Sequence, residues 1–432
     1  MREIDVLVVG AGPTGLGAAW RAAERGLDHL VVEAGAGPGG MAASVTDPAG
    51  FTWDLGGHVL HSHFEHFDAA LAAAGVRFRQ PRRNGWVWIG GELVRTPIQQ
   101  QLTALPTDLR PDAPSATLAD FYRNHCGNEL TERFFRPFTE KMWATPLELI
   151  GHEWTSLRNG SAEPNVPVLK VADGSEPPVV TFPYPEGGTG RLWEAIAGQL
   201  DADRLRYRTA VRSIDPATRL ALLSDGETVR FRQCVSSMPL PALLAAADGL
   251  AALAERAAVE LRHCETYVFG LGFDGAPPAA LADKSWLYCP DPEVAWQRAT
   301  VLSNYDPANA GPGRWSVLFE VGRSEHRTVP NEQARQSILD SAVALGADLG
   351  RLVSEWDRVV PMGYPVPTLG RDDLLREVDA ALLAHGIHSR GRFGGWRYES
   401  CNQDYSWAQG VQAVDAGLDG VAEDVYWNPG RY

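Results

Sequence analysis

The first forty residues constrain the fold most. Val6 to Val9 is a short β-branched run suited to a buried parallel strand. Gly10-Ala11-Gly12-Pro13-Thr14-Gly15 follows, then an Ala-rich helical segment from Leu16 to Arg25. A second apolar run, His29 to Val32, ends in Glu33. Strand, glycine turn, helix, strand and acid make a βαβ unit of an α/β fold. Gly10 permits the tight turn, Gly12 lets the backbone approach a pyrophosphate at the helix N-terminus, and Gly15 lets helix and strand pack closely. Glu33 falls where a ribose hydroxyl needs an acceptor. A dinucleotide site that also uses Pro13 and Thr14 is the expectation.

Pro38-Gly39-Gly40-Met41 comes next. A second glycine pair after the acidic strand resembles flavoproteins of the glutathione-reductase and amine-oxidase type, where such a loop meets FAD. With Gly56-Gly57-His58 close behind, FAD is the expected dinucleotide.

The chain has 432 residues, more than one ordinary domain. Trp86, Trp88 and Leu93 around Gly90-Gly91 predict a β-hairpin, and Leu118 to Trp143 reads as helical. Leu192 to Leu200 reads as a helix after Gly187-Gly188. Leu205 to Cys234 alternates like paired strands, residues 263–367 read as strand-like, and Gln403 to Leu418 as a helix. The expected organisation is a discontinuous FAD-binding Rossmann-type domain (1–80, 188–262, 368–432). A helical domain (105–172) and an antiparallel sheet domain (81–104, 173–187, 263–367) are inserted in it.

Composition narrows the partners. Lys+Arg 39 against Asp+Glu 54 gives a net charge of −15, against the basic surplus of a nucleic-acid or anionic-membrane binder. Any anionic ligand must be held by local arginines. The five cysteines are scattered without a C-x-x-C pair, so neither a disulfide framework nor a metal site is expected. No signal-peptide pattern precedes the strand at Asp5, and a cytoplasmic protein is the expectation. Ala242 to Leu261, broken by Asp248, Glu255 and Arg256, reads as one amphipathic helix, since a membrane span needs about 18 uninterrupted apolar residues. The sequence has no HExxH, G-x-S-x-G or P-loop, so zinc proteolysis, α/β-hydrolase chemistry and ATP hydrolysis lack support.

Four segments point to a family: Gly56-Gly57-His58-Val59-Leu60-His61-Ser62-His63; Trp296 to Tyr305; Gly363-Tyr364-Pro365-Val366-Pro367-Thr368; and Ser389 to Asp404. Together they resemble UDP-galactopyranose mutases, the eukaryotic branch more than the usual bacterial one. The resemblance implies a three-part fold and redox-neutral use of flavin. Reduced FAD attacks the anomeric carbon through N5, and the pyranose and furanose forms of an NDP-hexose, by default UDP-galactose, interconvert. NADPH is an implied candidate reductant, with Arg83 matching an arginine of its site. The rival reading is an FAD-dependent oxidase or desaturase of the amine-oxidase superfamily.

The resemblance also implies site residues. A leaving diphosphate needs fixed positive charge that can grip two oxygens at once, which suits arginine. Arg298 and Arg158 match the phosphate arginines, and Tyr305, Tyr364 and Tyr398 match hydroxyls that bond phosphate without adding charge. His58 matches the residue that lies against the flavin. Arg392, Asn402 and Gln403 match positions beside flavin or sugar, and Val211 and Ser406 fall at the cofactor. Trp286 and Tyr288 match the pocket wall. Thr96 stands where the family has a tyrosine against uracil, although Gln99 is retained. Thr139 replaces an asparagine, although Phe134 remains. The diphosphate and flavin sites read as intact, and the base pocket as altered.

Overall fold

The computed structural model describes residues 1–155, 167–175, 178–346 and 349–432. Arg2–Val9 lies inside a seven-stranded sheet, parallel to His29–Val32 on one side and to Thr228–Ser236 on the other. The order continues through Leu220–Leu223 to Val211–Asp215 at one edge and to Leu205–Arg206 at the other. Ile387–Ser389 also pairs with Thr228–Ser236. Helices cover both faces, which is why the first strand reads as an unbroken apolar run. Val6 and Val8 pack with Leu16, Trp407 and Val411, whereas Leu7 and Val9 pack with Leu243, Leu374 and Val378. Period-two alternation thus divides one strand between two cores.

The first helix, Pro13–Glu24, is held against the last long one, Gln403–Asp419. The approach is backbone to backbone: a Cβ on Gly410 would overlap the Thr14 carbonyl oxygen, and one on Gly17 the Trp407 carbonyl oxygen. The glycine turn and the segment Asn402-Gln403 are thereby fixed to each other.

The second seven-stranded sheet runs in the order Leu352–Pro365, His263–Asp274, Arg314–Arg323, Arg298–Thr300, Trp286–Tyr288, Gly85–Ile89, Glu92–Arg95. The last two form the predicted hairpin, with Gly90 and Gly91 both at positive φ, as a tight two-residue turn requires. Leu118–Cys126 and Arg136–Trp143 supply the helices beside it. The first of these carries a capping box between Thr117 and Asp120.

Four features depart from the sequence reading. The second sheet is not wholly antiparallel, because Trp286–Tyr288 pairs parallel to Gly85–Ile89. Residues 173–187 do not join it: Tyr184–Pro185 pairs with Phe78–Arg79, and Thr181 bridges to Arg82. Ala242 to Leu261 is two helices, Leu240–Ala246 and Ala251–Glu260, because the chain turns at Asp248-Gly249 with Gly249 at positive φ. Within 263–367, Asn331–Leu345 is a helix that buries Ala334, Ile338, Ala342 and Leu345 at helical spacing. Among the described residues no helix is long and apolar enough to cross a membrane.

Candidate active site

Two connected cavities lie between the sheets. The first, about 590 Å³, opens at the C-terminal ends of Arg2–Val9 and His29–Val32. This is where a doubly wound sheet takes its ligand. Gly10, Gly12, Pro13, Thr14, Glu33, Gly40 and Met41 line one end, and His58, Val211, Arg392, Gln403 and Ser406 the rest. Gly15 stands behind the turn, where a Cβ would overlap the Gly10 carbonyl oxygen, and a Cβ on Gly39 would press on Ala43. The Glu33 carboxylate accepts from the backbone N–H of Ala11 at 2.8 Å and of Gly35 at 2.6 Å, which fixes it at the rim. Thr209, Ser237-Met238-Pro239, Met362 and Cys401 also line this cavity, and sequence reasoning did not assign them.

The second cavity, about 200 Å³, shares His58, Met41, Arg392, Cys401 and Gln403 with the first. It gathers Arg298, Trp286, Tyr288, Tyr305, Tyr364, Tyr398 and Asn402, which are spread over more than a hundred residues of sequence, and Gly56 and Gly57 form part of its wall. Burial works against the Arg298 charge more than any single neighbour favours it, but the Glu320 carboxylate together with Tyr364, Tyr288 and Tyr305 holds the guanidinium above its ordinary pKa. Burial also pushes the Tyr305 and Tyr364 phenols well above their usual range, so both remain protonated donors. The Arg392 guanidinium lies 5.5 Å from the Tyr364 ring centroid. Burial first, then Arg392 and Arg298, pushes the His58 imidazole down to about 3, so it is neutral at physiological pH. Its Nδ1 is buried without a partner.

Asn402 caps Gln403–Asp419, so the positive end of a 17-residue helix meets the cleft. The Gln403 side-chain carbonyl accepts from Trp193 Nε1 at 2.8 Å, which spends part of that amide on the fold.

The four candidate base residues line neither cavity. Thr96 Oγ1 donates to the Gly85 carbonyl at 2.8 Å. Phe134 stacks on Phe138, which packs edge-on to Tyr288. Phe134 is thus two rings behind the wall residue Tyr288, with Phe138 between them. Thr139 is buried within Arg136–Trp143, and the Gln99 carbonyl accepts from the Lys170 N–H. Arg83, assigned from sequence to a reductant site, stands at the rim of the second cavity with its guanidinium 5.9 Å from the Trp286 ring. Arg158 lies outside the described residues.

Glu320 was missed. It sits mid-strand in an otherwise apolar run, Ser316-Val317-Leu318-Phe319-Glu320-Val321, is only 2% exposed, and lines the second cavity. A carboxylate inside an apolar strand is costly without a partner, and that was the available signal.

Residues 8–73 match the NAD(P)-binding Rossmann-like domain family. Two curated relatives match over the same kind of short span. A hydroxyneurosporene desaturase of Rhodobacter capsulatus is 49% identical over 75 residues, 17% of this chain and 15% of that protein. A ferredoxin–NADP reductase of Salinispora arenicola is 51% identical over 57 residues, 12% of this chain and 18% of that protein. The match therefore spans less than a fifth of either relative. Among solved structures, a reduced UDP-galactopyranose mutase superposes with a TM-score of 0.90 at 32% identity, covering 99% of this chain and 97% of that one. A cyclohexylamine oxidase from Brevibacterium oxydans superposes at 0.70 with 16% identity, over 96% of this chain and 99% of that one. At that identity the likeness is one of fold.

Proposed function

Because the chain belongs to the UDP-galactopyranose mutase family, we propose that it is an FAD-dependent mutase interconverting the pyranose and furanose forms of a nucleoside-diphosphate hexose, UDP-galactose first. The observation that carries this reading is the second cavity. A buried arginine and protonated tyrosines surround a small space that opens onto the His58–Arg392 end of a dinucleotide cleft. An amine or carotenoid substrate has no need of such a set.

The residues present fit FAD. A Cβ on Gly12 would meet nothing closer than 3.9 Å, which leaves its backbone open to a pyrophosphate. Glu33, expected to meet the ribose, is held at the cavity rim by two backbone donors. At the far end the unpartnered His58 Nδ1 calls for a polar neighbour. When bound in the reduced state, FAD supplies a nucleophilic nitrogen and is regenerated, so the net reaction is redox-neutral.

The chain's own groups serve the rest of the reaction. Arg298 holds the diphosphate as it leaves and keeps it for return, since a guanidinium stays charged and grips two oxygens. Tyr305 and Tyr364 donate hydrogen bonds without adding charge, so the diphosphate is retained but not trapped. Neutral His58 adds no charge of its own beside the two arginines. Arg392 and the N-terminal end of Gln403–Asp419 place positive potential at the junction of the cavities.

Purified holoenzyme is expected to be inactive when oxidised. Dithionite should switch it on without stoichiometric consumption of reductant, and NADPH is the physiological donor to test first. Equal turnover by oxidised enzyme, or product formed in proportion to reductant, overturns the mechanism. Oxygen uptake with amines in place of isomerisation supports the oxidase alternative.

The base pocket adds a second expected result. Thr96 has no ring, and its hydroxyl is already spent on the Gly85 carbonyl. A stacked aromatic contributes ~1–3 kcal/mol to base binding, and Thr96 cannot supply it. At least one other nucleoside-diphosphate sugar should be accepted comparably to UDP-galactose in a panel of UDP, dTDP, GDP and CDP sugars. A preference for UDP-galactose of about a hundredfold, ~2.7 kcal/mol, over every other base rules this out.

A further inference from the structure

A carboxylate stands inside a site proposed to hold a diphosphate. Glu320 lies directly across from Arg298 in the register of neighbouring strands. Its Oε1 accepts from Arg298 Nε at 2.7 Å, from Arg298 Nη2 at 2.6 Å, and from the backbone N–H of Gly57 at 2.9 Å. On charge alone the placement opposes binding, because a fixed negative charge beside Arg298 weakens the field felt by an anionic ligand. Its contribution must lie elsewhere.

Geometry shows where. A guanidinium has five N–H donors in a rigid plane. The Glu320 contacts engage its Nε–Nη2 edge, which sets the plane and leaves Nη1 and the outer Nη2 proton for a ligand. The same oxygen pins Gly57, and that backbone is pressed against the arginine. A Cβ on Gly57 would overlap Thr300 Oγ1 and lie 3.3 Å from Arg298 Cζ and Nε. His58, where the two cavities meet, is the next residue along. Two strands and the Gly56–His58 turn therefore converge on one buried oxygen.

We propose that Glu320 is a positioning residue that locks the Arg298 guanidinium and the Gly56–His58 turn into one unit. Leaving group and cofactor cleft then stay in fixed register, at a cost in diphosphate affinity. The inference rests on the mutase reading above and adds the residue that sets the geometry of that site. It separates two quantities that a merely structural role would move together.

The test uses holoenzyme carrying Glu320→Gln or Glu320→Asp. UDP is titrated calorimetrically against the oxidised form, and turnover is measured on the reduced form. Gln keeps the shape and an acceptor oxygen but removes the charge. UDP should bind about three- to tenfold tighter, through relief of repulsion, while kcat falls at least about tenfold as Arg298 loses its fixed plane. Asp keeps the charge but is one methylene short of spanning both partners. UDP affinity should stay within about threefold of wild type while kcat again falls. Parallel loss of binding and turnover in either variant shows a structural role and overturns the proposal. Unchanged kcat overturns it equally. If the Gln variant yields no holoenzyme, the Asp variant decides on the same terms. Wild-type enzyme that neither binds UDP nor isomerises the sugar sinks the mutase reading, whereas a working wild type with parallel losses in the variants sinks this inference alone.

Discussion

Replacing Glu399 by Ala is expected to destabilise the protein by about 3–5 kcal/mol, the usual result of removing one partner from a buried ion pair. Glu399 is fully buried at its side chain and accepts from Arg371 Nη2 at 2.7 Å and Arg397 Nη2 at 3.0 Å. Both arginines are themselves buried. Asp372 bridges the same two cations, and Arg390 next to them pairs with Asp379 and Glu423. Tyr426 and Trp427 lie against the guanidinium faces of Arg390 and Arg397. Without Glu399, two desolvated guanidiniums share one carboxylate. A guanidinium cannot shed its proton to escape that cost. Urea unfolding of the holoenzyme measures the loss. The double variant Arg397→Met/Glu399→Leu should lose less than the single one, because it removes both charges together. A single variant within about 0.5 kcal/mol of wild type would show that the network carries no stability. Because Tyr398 packs on Trp143 at 4.6 Å immediately before Glu399, the single variant should also loosen that wall of the second cavity.

That network marks the boundary of what the sequence shows. The glycine turn, the acid at the end of the second strand and the Gly90-Gly91 hairpin are all legible, because each follows from residues within a few positions of one another. The segment Ser389 to Asp404 is legible as a family pattern, yet the pattern gives no reason for Arg390 and Arg397. Glu399, a partner of Arg397, lies inside the segment, but Asp372, Asp379 and Glu423 lie outside it, and only the folded chain brings them in. Glu320 is hidden in the same way, since its meaning depends on the register that sets it against Arg298. The helix Asn331–Leu345 was present as spacing, but its strand-rich surroundings masked it. The base residues show the converse. Thr96, Gln99, Phe134 and Thr139 match base positions only through a family pattern, and they line neither cavity of the described structure.

Arg298→Lys keeps the charge and is still expected to damage the proposed function, by about ten- to a hundredfold in UDP affinity and in kcat/KM, or ~1.5–3 kcal/mol. One edge of the guanidinium is engaged by Glu320, and in the proposed function its other donors serve the diphosphate. A lysine ammonium is a compact point charge on a flexible stem and cannot reproduce that planar division. Turned toward Glu320, it leaves the diphosphate without its central cation. Turned toward the diphosphate, it leaves a buried carboxylate with only the Gly57 N–H. Either arrangement loses charge-assisted bonds in a site that burial has made unforgiving. The loss should therefore appear with free UDP as well as in turnover, and raising the pH should not restore it, since the deficit is one of geometry. A lysine variant that binds UDP and turns over at the wild-type rate would remove Arg298 from the diphosphate site.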